Sequence, residues 1–511
     1  METVTITKTE YDNLVSNLVT EKDERARLER QIEYLLEQMR LSRHRQFGAS
    51  SEKSAYDHEQ LNLFNEAEVM AAPEQPEPEL VEVEKHYRKR TRLTTNKLPE
   101  GLPVEVIDYE LPESERVCDE CGGKLHVMSH DVRREFVIVP AQAKIREHRR
   151  AVYSCRCCEA ENDHVPIQKA DMPKPVIAGS FASPEAVAHI MNQKFVMGVP
   201  LYRQEQEFKR GGLLLSRQTM SNWLLRAAED WLVPLYERLK AELLKREVLH
   251  ADETTLQVLR EPGRTAQSKS YMWLYRTGGD TNRQIVLYDY QPNRKAEHPQ
   301  RFLEGWRGYL HADGYDGYHK LPEGIAVVGC MAHLRRKFDE ALKILPENAR
   351  DGSLAIVGKH YCDRLFELER DFADLSSTER YEKRLQSSKP VLAELFAWAA
   401  SCKAVPKSPV GKAVHYALSQ RKYLENYLLD GRLEISNNRA ERSIKPFVIG
   451  RKNWLFANTP RGARASAVIY SIIETAKENG LKPYDYLKTL LGTMPKTSAN
   501  QLDLLLPWSK T

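Results

Sequence analysis

The sequence predicts a multidomain α/β protein whose largest unit is a mixed sheet flanked by helices. Three observations predict it. After Val248, three strand-like runs rich in β-branched and aromatic residues follow one another: "EVLHADETTLQVL", "SYMWLYRTG" and "RQIVLYDYQ". Helix and strand then alternate through "AEHPQRFLEGW", "GYLHADGYD" and "GIAVVGCMAHLRRKFDEALK". Finally, 511 residues with 41% hydrophobic and 29% charged content give room for several cored domains. No apolar run approaches the roughly 18 residues of a membrane span. The N-terminus lacks the basic-then-apolar layout of a secretory signal. The expected location is the cytoplasm, with no membrane partner.

Residues 1–50 are expected to form a coiled-coil helix. Leu14, Leu18, Leu28, Ile32, Leu35 and Met39 fall on a 4-3-4 spacing, with Glu21 and Arg25 at the two seam positions between them. Such a seam predicts a homodimer or higher oligomer. Residues 51–104 read as a linker. Glu66 to Glu84 carries seven acids and no base, and "KHYRKRTR" then carries five bases and no acid. The net charge is only +4, yet Gly431 to Ala465 holds eight bases against two acids. That asymmetry points to a polyanionic partner met by particular segments.

Residues 105–170 form a cysteine module. Cys118-x2-Cys121 and Cys155-x2-Cys158 are two knuckles, each able to supply two soft ligands from one turn, and together they predict a structural Zn²⁺ site. Cys157 competes for the last two places, and His164 could replace one ligand. The intervening segment reads as a β-hairpin with six basic residues among eight charged ones. Residues 171–245 are helical. "GVPLYRQEQEFKRGGLLLSRQTMSNWLLRAAE" has a helix-turn-helix layout: a helix near 200–210, a stop at Gly211-Gly212, and Ser216 as N-cap of the next helix. A recognition helix would present Arg217, Gln218, Ser221 and Asn222. An ordinary helical hairpin with Trp223 and Leu224 in its core fits the same pattern.

The sheet unit opens at 246–339, is followed by a helical stretch at 340–430, and continues at 431–495 before a tail at 496–511. It contains LHAD twice, ending on Asp252 and Asp313. Each follows apolar residues, which places each aspartate near the carboxyl end of a strand, the first and the fourth. In an RNase H-like sheet these strands are central neighbours. Two carboxylates facing each other repel, and hard divalent cations such as Mg²⁺ relieve that repulsion. Two such ions suit in-line displacement at phosphorus. A third acid would come from Glu434, Glu441 or Glu474. Glu441 is followed by Arg442, Lys445, Arg451 and Lys452, cations suited to DNA phosphates. Cys330-x2-His333 is a spaced Cys/His signature beside the second acid; a core cysteine and a helix-start histidine without a metal role is the preferred reading of it.

"LHADETTLQV", "LHADGYDGYH", "CMAHLRRKF" and "SNNRAERSIKPFVIGRKNWLFA" together resemble the transposases of the insertion sequence sixty-six family, the TnpC type. "RHRQFGASSEK", the cysteine module and the N-terminal helix share the resemblance, which spans nearly the whole chain. It implies a DDE transposase with an RNase H-like core and assigns the triad to Asp252, Asp313 and Glu441, holding two Mg²⁺ (or Mn²⁺) ions. It implies a helical insertion between Asp313 and Glu441, which agrees with the helical stretch at 340–430. The implied activity is cleavage at the ends of an insertion sequence and 3′-hydroxyl strand transfer into target DNA. The implied partners are terminal inverted repeats, target DNA and small accessory proteins. A zinc-dependent DNA-binding regulator on a non-catalytic scaffold is the alternative reading.

Overall fold

In a computed structural model of the chain, residues 167–509 are described continuously. Residues 142–154 are also described, with a few earlier positions (7–9, 17–18, 21–22, 24–25, 106–107, 112 and 126–127). The chain divides into two units, Ser50–Asp171 and Met172–Thr511 with Met1–Ala49. In the first unit, β1 (Val152–Ser154) pairs antiparallel with β2 (Ile167–Lys169), Tyr153 opposite Gln168. Cys118, Cys121, Cys155, Cys158, Cys157 and His164 lie outside the described residues, as does the 51–104 segment. Most of the segment expected to form the N-terminal coiled-coil helix lies outside them too; the positions described between Lys8 and Arg25 are helical.

From Met172 onward this second unit opens with four α-helices. They are α1 (Pro184–Phe195), α2 (Leu201–Arg210), α3 (Arg217–Ala227) and α4 (Val233–Leu243). The local chemistry sets their ends. The Ser183 and Ser216 hydroxyls accept the amides of Ala186 and Thr219, satisfying N-terminal donors that the helices cannot pair. Gly212 takes a φ of 82° after α2, a conformation that side chains resist.

A five-stranded sheet follows: β3 (Val248–Gln257), β4 (Lys269–Thr277), β5 (Val286–Gln291), then α5 (Glu297–Phe302), β6 (Gly308–His311) and β7 (Ile325–Val328). The strand order is β5-β4-β3-β6-β7. The β3–β4 and β4–β5 pairs are antiparallel, and the β3–β6 and β6–β7 pairs are parallel. The sheet is therefore mixed, and the two LHAD strands are hydrogen-bonded neighbours. β4 and β5 are buried almost throughout, which explains their near-continuous apolar and aromatic sequence. β5 is an edge strand, but its edge is sealed by α13 (Pro460–Glu478). The amides of Val286 and Tyr288 donate to Thr475 Oγ1 and Ser471 Oγ at 3.0 and 2.7 Å, so two helix hydroxyls replace a sixth strand.

The predicted helical stretch is α6 (Met331–Ile344), α7 (Leu354–Asp371), α8 (Ser377–Lys383), α9 (Lys389–Ser401), α10 (Pro409–Ser419) and α11 (Arg421–Glu425). These helices build a second core around Phe338, Leu365, Phe396 and Tyr427, joined to the sheet through Val248 and Val328. Arg384 lies inside it, 1% exposed. Its guanidinium grips Glu369 at 2.8 and 2.6 Å and donates to the carbonyls of Tyr427, Asp430 and Leu433. A buried charge so fully paired pins the backbone that carries the chain back to the sheet. That return ends in α12 (Asn438–Trp454), which packs on β3 and β4; α13 and α14 (Pro483–Thr493) follow.

Candidate active site

Parallel pairing puts the two LHAD copies in register: Leu249 opposite Leu310 and His250 opposite His311. Both leucines, both alanines and both histidines are fully buried. The imidazoles stack at 4.2 Å between centroids, 10° from parallel. Burial holds His250 at about 3 and drives His311 well below its usual range, so the stacked pair is neutral. Repetition of the tetrapeptide thus builds two matching strand segments, in register at Leu and His, that diverge at their aspartates.

The divergence corrects one expectation. Asp252 does not end its strand. β3 continues to Gln257 because β4 pairs with it as far as Lys269, whereas β6 stops at His311. Asp313 lies beyond that end, where its Oδ1 accepts the Tyr315 amide at 3.0 Å and fixes a turn. Asp252 Oδ1 accepts the Glu253 amide at 2.8 Å. Burial first, then the charges of Glu253 and Asp313, then that of Glu441, push the Asp252 carboxyl well above the usual range. Asp252, Asp313 and Glu441 therefore share one electrostatic neighbourhood.

Glu441 reaches it from the first turn of α12. Its Oε2 accepts Arg336 Nη2 at 3.2 Å, and its Oε1 faces His333 Nδ1 at 3.6 Å. The other two candidate acids lie elsewhere. Glu434 pairs with Arg439 at 2.6 Å, and its Oε1 is 4.0 Å from His250 Nε2. Glu474 is buried on α13 and pairs with Lys477 at 2.8 Å.

Asn437, just before α12 and 1% exposed, sets the distance between this helix and β3. Its Nδ2 donates to the Ala251 carbonyl at 2.8 Å, beside Asp252, and its Oδ1 is 2.9 Å from His250 Nδ1. Its amide donates to Cys330 Sγ at 3.2 Å, at the start of α6. Farther along α12, Ser443 receives the buried Arg276 of β4, seating the helix on the sheet.

Beside the acids opens a cleft of about 380 Å³ lined by Arg294, Asp313, Tyr315, His333, Lys337 and Tyr416, among others. Arg294 Nε donates to Glu253 at 2.6 Å, its guanidinium lies 3.9 Å from the Tyr315 ring centre, and Nη2 is 3.7 Å from Asp313. Tyr318 gives Glu253 a second hydrogen bond at 2.6 Å. Of the three acids, Asp313 itself lines this cleft, next to Arg294 and Lys337.

Sequence reasoning missed Glu253, Arg294 and Asn437. Glu253 sits on the same strand as Asp252 and was legible as a second acid in "HADE". Arg294 and Asn437 become visible only through contacts across 41 and 187 residues. Among the expected DNA contacts, Arg442, Lys445 and Lys452 are exposed on α12. Arg451 is half-buried and bonds β3 instead, through the Thr255 carbonyl and the Thr254 and Thr255 hydroxyls. On α3, Arg217, Gln218 and Asn222 are exposed and Ser221 is half-buried, while Trp223 and Leu224 enter the core. Among the described residues, no helix is long and apolar enough to cross a membrane.

Comparison with known proteins gives concordant findings. Residues 179–465 match the Transposase IS66 family, spanning the four-helix segment, the sheet and the helical stretch. Residues 471–508 match the IS66 C-terminal element. Residues 115–159 match the zinc-finger binding domain of transposase IS66, which supports Zn²⁺ in the cysteine module. Residues 34–107 match a segment described as Transposase C of IS166 homeodomain. An uncharacterised protein of Sinorhizobium fredii, y4hP, is 31% identical over 94% of this chain and 88% of its own length. A second from that organism, y4jD, is 32% identical over 81% of each chain. With more than half its length matched by the family's central domain and further family matches on both sides of it, the chain belongs to the IS66 transposase family.

Proposed function

We propose that the protein is a DDE DNA transposase whose sheet is an RNase H-like catalytic core, with Asp252, Asp313 and Glu441 as its acids. The observation that carries this reading is geometric: the parallel β3–β6 register brings together Asp252 and, just past β6, Asp313 from adjacent strands, and α12, with Glu441 in its first turn, packs on β3, beside a cleft lined by Asp313, Arg294 and Lys337. The strand order, with two antiparallel and two parallel pairings around β3, supports the fold reading. The donor set fits Mg²⁺: carboxylate oxygens only, one of them, Glu441 Oε1, buried without a hydrogen-bond partner. Two bound Mg²⁺ would supply charge neutralisation and activation of the attacking oxygen.

The chain's own residues orient the rest. Asn437 and the β3–β6 register fix the acids against one another. Arg294 and Lys337 face the phosphate. Glu253 neutralises Arg294 in part and holds it over Tyr315. In the proposed reaction, water attacks the phosphodiester at the element end and releases a 3′-hydroxyl. That hydroxyl then attacks a target phosphodiester, and the target's own 3′-oxygen leaves. Exposed Arg442, Lys445 and Lys452 would contact backbone near the cut. The zinc module, through Cys118, Cys121, Cys155 and Cys158, and α3, through Arg217, Gln218, Ser221 and Asn222, would bind the terminal repeats.

The test is strand transfer from end-bearing DNA into a plasmid in Mg²⁺, wild type against Glu441→Gln. Wild type should join ends and the variant should bind DNA without joining. Joining by the variant would remove Glu441 from the triad.

A further inference from the structure

Beside the carboxylate site lies a second cluster of different chemistry. Cys330 Sγ, a nitrogen of His333 and an oxygen of Glu441 all lie within 4.8 Å of one another. His333 Nδ1 and Glu441 Oε1 are 3.6 Å apart, too far for a good hydrogen bond. Both atoms are buried and neither has a hydrogen-bond partner. Facing polar atoms that satisfy neither each other nor anything else mark a place where a third species belongs. Two ligands of one tetrahedral ion lie roughly 3.4 Å apart when each bond is about 2.0–2.1 Å, close to the separation seen.

We propose that Cys330, His333 and Glu441 form a second cation site, selective for a borderline-soft divalent ion such as Zn²⁺. The donors decide the ion. Mg²⁺ takes oxygen ligands and keeps its waters, whereas one sulfur, one imidazole nitrogen and one carboxylate oxygen are a zinc set with one position open. The scaffold is preformed. Cys330 precedes α6 and His333 lies in its first turn, so the Cys-x2-His spacing projects both ligands from one helix start. Glu441 comes from the first turn of α12, its other oxygen held by Arg336 at 3.2 Å. The Asn437 amide donates to Cys330 Sγ at 3.2 Å, the outer-shell hydrogen bond that a metal thiolate accepts. Thiolate and carboxylate together offset the positive ends of the two helices. Zinc bound here takes Glu441 Oε1 away from Asp252 and Asp313, so the ion is an antagonist of Mg²⁺ at the shared acid. That consequence rests on Glu441 being the third acid; the site itself does not.

The test is the zinc content of the full-length chain after equilibration with buffered Zn²⁺, wild type against Cys330→Ser and His333→Gln. The cysteine module contributes equally to all. Wild type should hold one zinc per chain more than either variant, and after Co²⁺ substitution the wild-type minus Cys330→Ser spectrum should show thiolate-to-cobalt charge transfer. Asp252→Asn should retain the extra ion. Equal zinc in wild type and His333→Gln overturns the proposal, and His333→Gln decides the matter even if Cys330→Ser fails to fold. Loss of the ion in Asp252→Asn also overturns it, by assigning the ion to the carboxylate site. A failed strand-transfer assay would instead touch only the transposase reading.

Discussion

Asn437 is the residue whose loss should tell most about how the acids are held. Replacing it by alanine removes the hydrogen bond from Nδ2 to the Ala251 carbonyl at 2.8 Å and the 2.9 Å contact with His250 Nδ1. His250 Nε2 already lacks a partner, so its ring would be buried with neither nitrogen satisfied. An orphaned buried polar group costs about 1–3 kcal/mol, and a second hydrogen bond contributes about 1 kcal/mol net. The site is 1% exposed, so water does not readily replace the amide. Asn437→Ala should therefore destabilise the sheet unit by about 2–4 kcal/mol. Urea unfolding followed by tryptophan fluorescence measures this, since Trp273 is buried on β4 next to β3. Strand transfer should fall by roughly tenfold or more, because a misplaced group costs rate even when binding survives. DNA affinity should be unchanged. A stability loss under about 0.5 kcal/mol, the range of ordinary surface substitutions, would show that Asn437 is not the strut between α12 and β3.

Other predictions test separate features. Asp252 has its folded pKa raised by burial and by neighbouring Glu253, Asp313 and Glu441, so the folded state binds more protons than the unfolded state above the ordinary carboxylate range. Its ionisation thus costs stability as pH rises, and in the absence of divalent metal Asp252→Asn should melt higher than wild type at pH 7. The gap should close below about pH 4, where both states are protonated; melting curves across pH read this, and a gap independent of pH would refute it. Gly450→Ala should cost about 1–3 kcal/mol by overpacking, because a Cβ there would sit 2.2 Å from the Tyr470 hydroxyl; thermal unfolding measures it. Removing zinc by chelation should weaken binding to element ends in a mobility-shift assay, and unchanged affinity would separate the cysteine module from end recognition.

The sequence alone determined the local elements. Ser216 announced the start of α3 and Gly211-Gly212 the end of α2, because capping and positive φ are properties of single residues. β-Branched and aromatic runs announced β3, β4 and β5, and the repeated LHAD announced two strands but not where the first of them ends. The tertiary structure alone decided everything that depends on which distant residues meet. The His250–His311 stack follows from parallel register, and the continuation of β3 past Asp252 follows from pairing with β4 but not β6. Which acid approaches Asp252 was open among Glu434, Glu441 and Glu474. Glu434 pairs with Arg439 and Glu474, on α13, pairs with Lys477, whereas Glu441 stands at the start of a helix that Asn437, Arg276 and Arg384 hold in place, which is why it is the acid proposed. The physical reason is range. Periodicity and caps act within a few residues of chain, whereas the site is assembled by contacts spanning more than a hundred, and no local pattern encodes such a meeting.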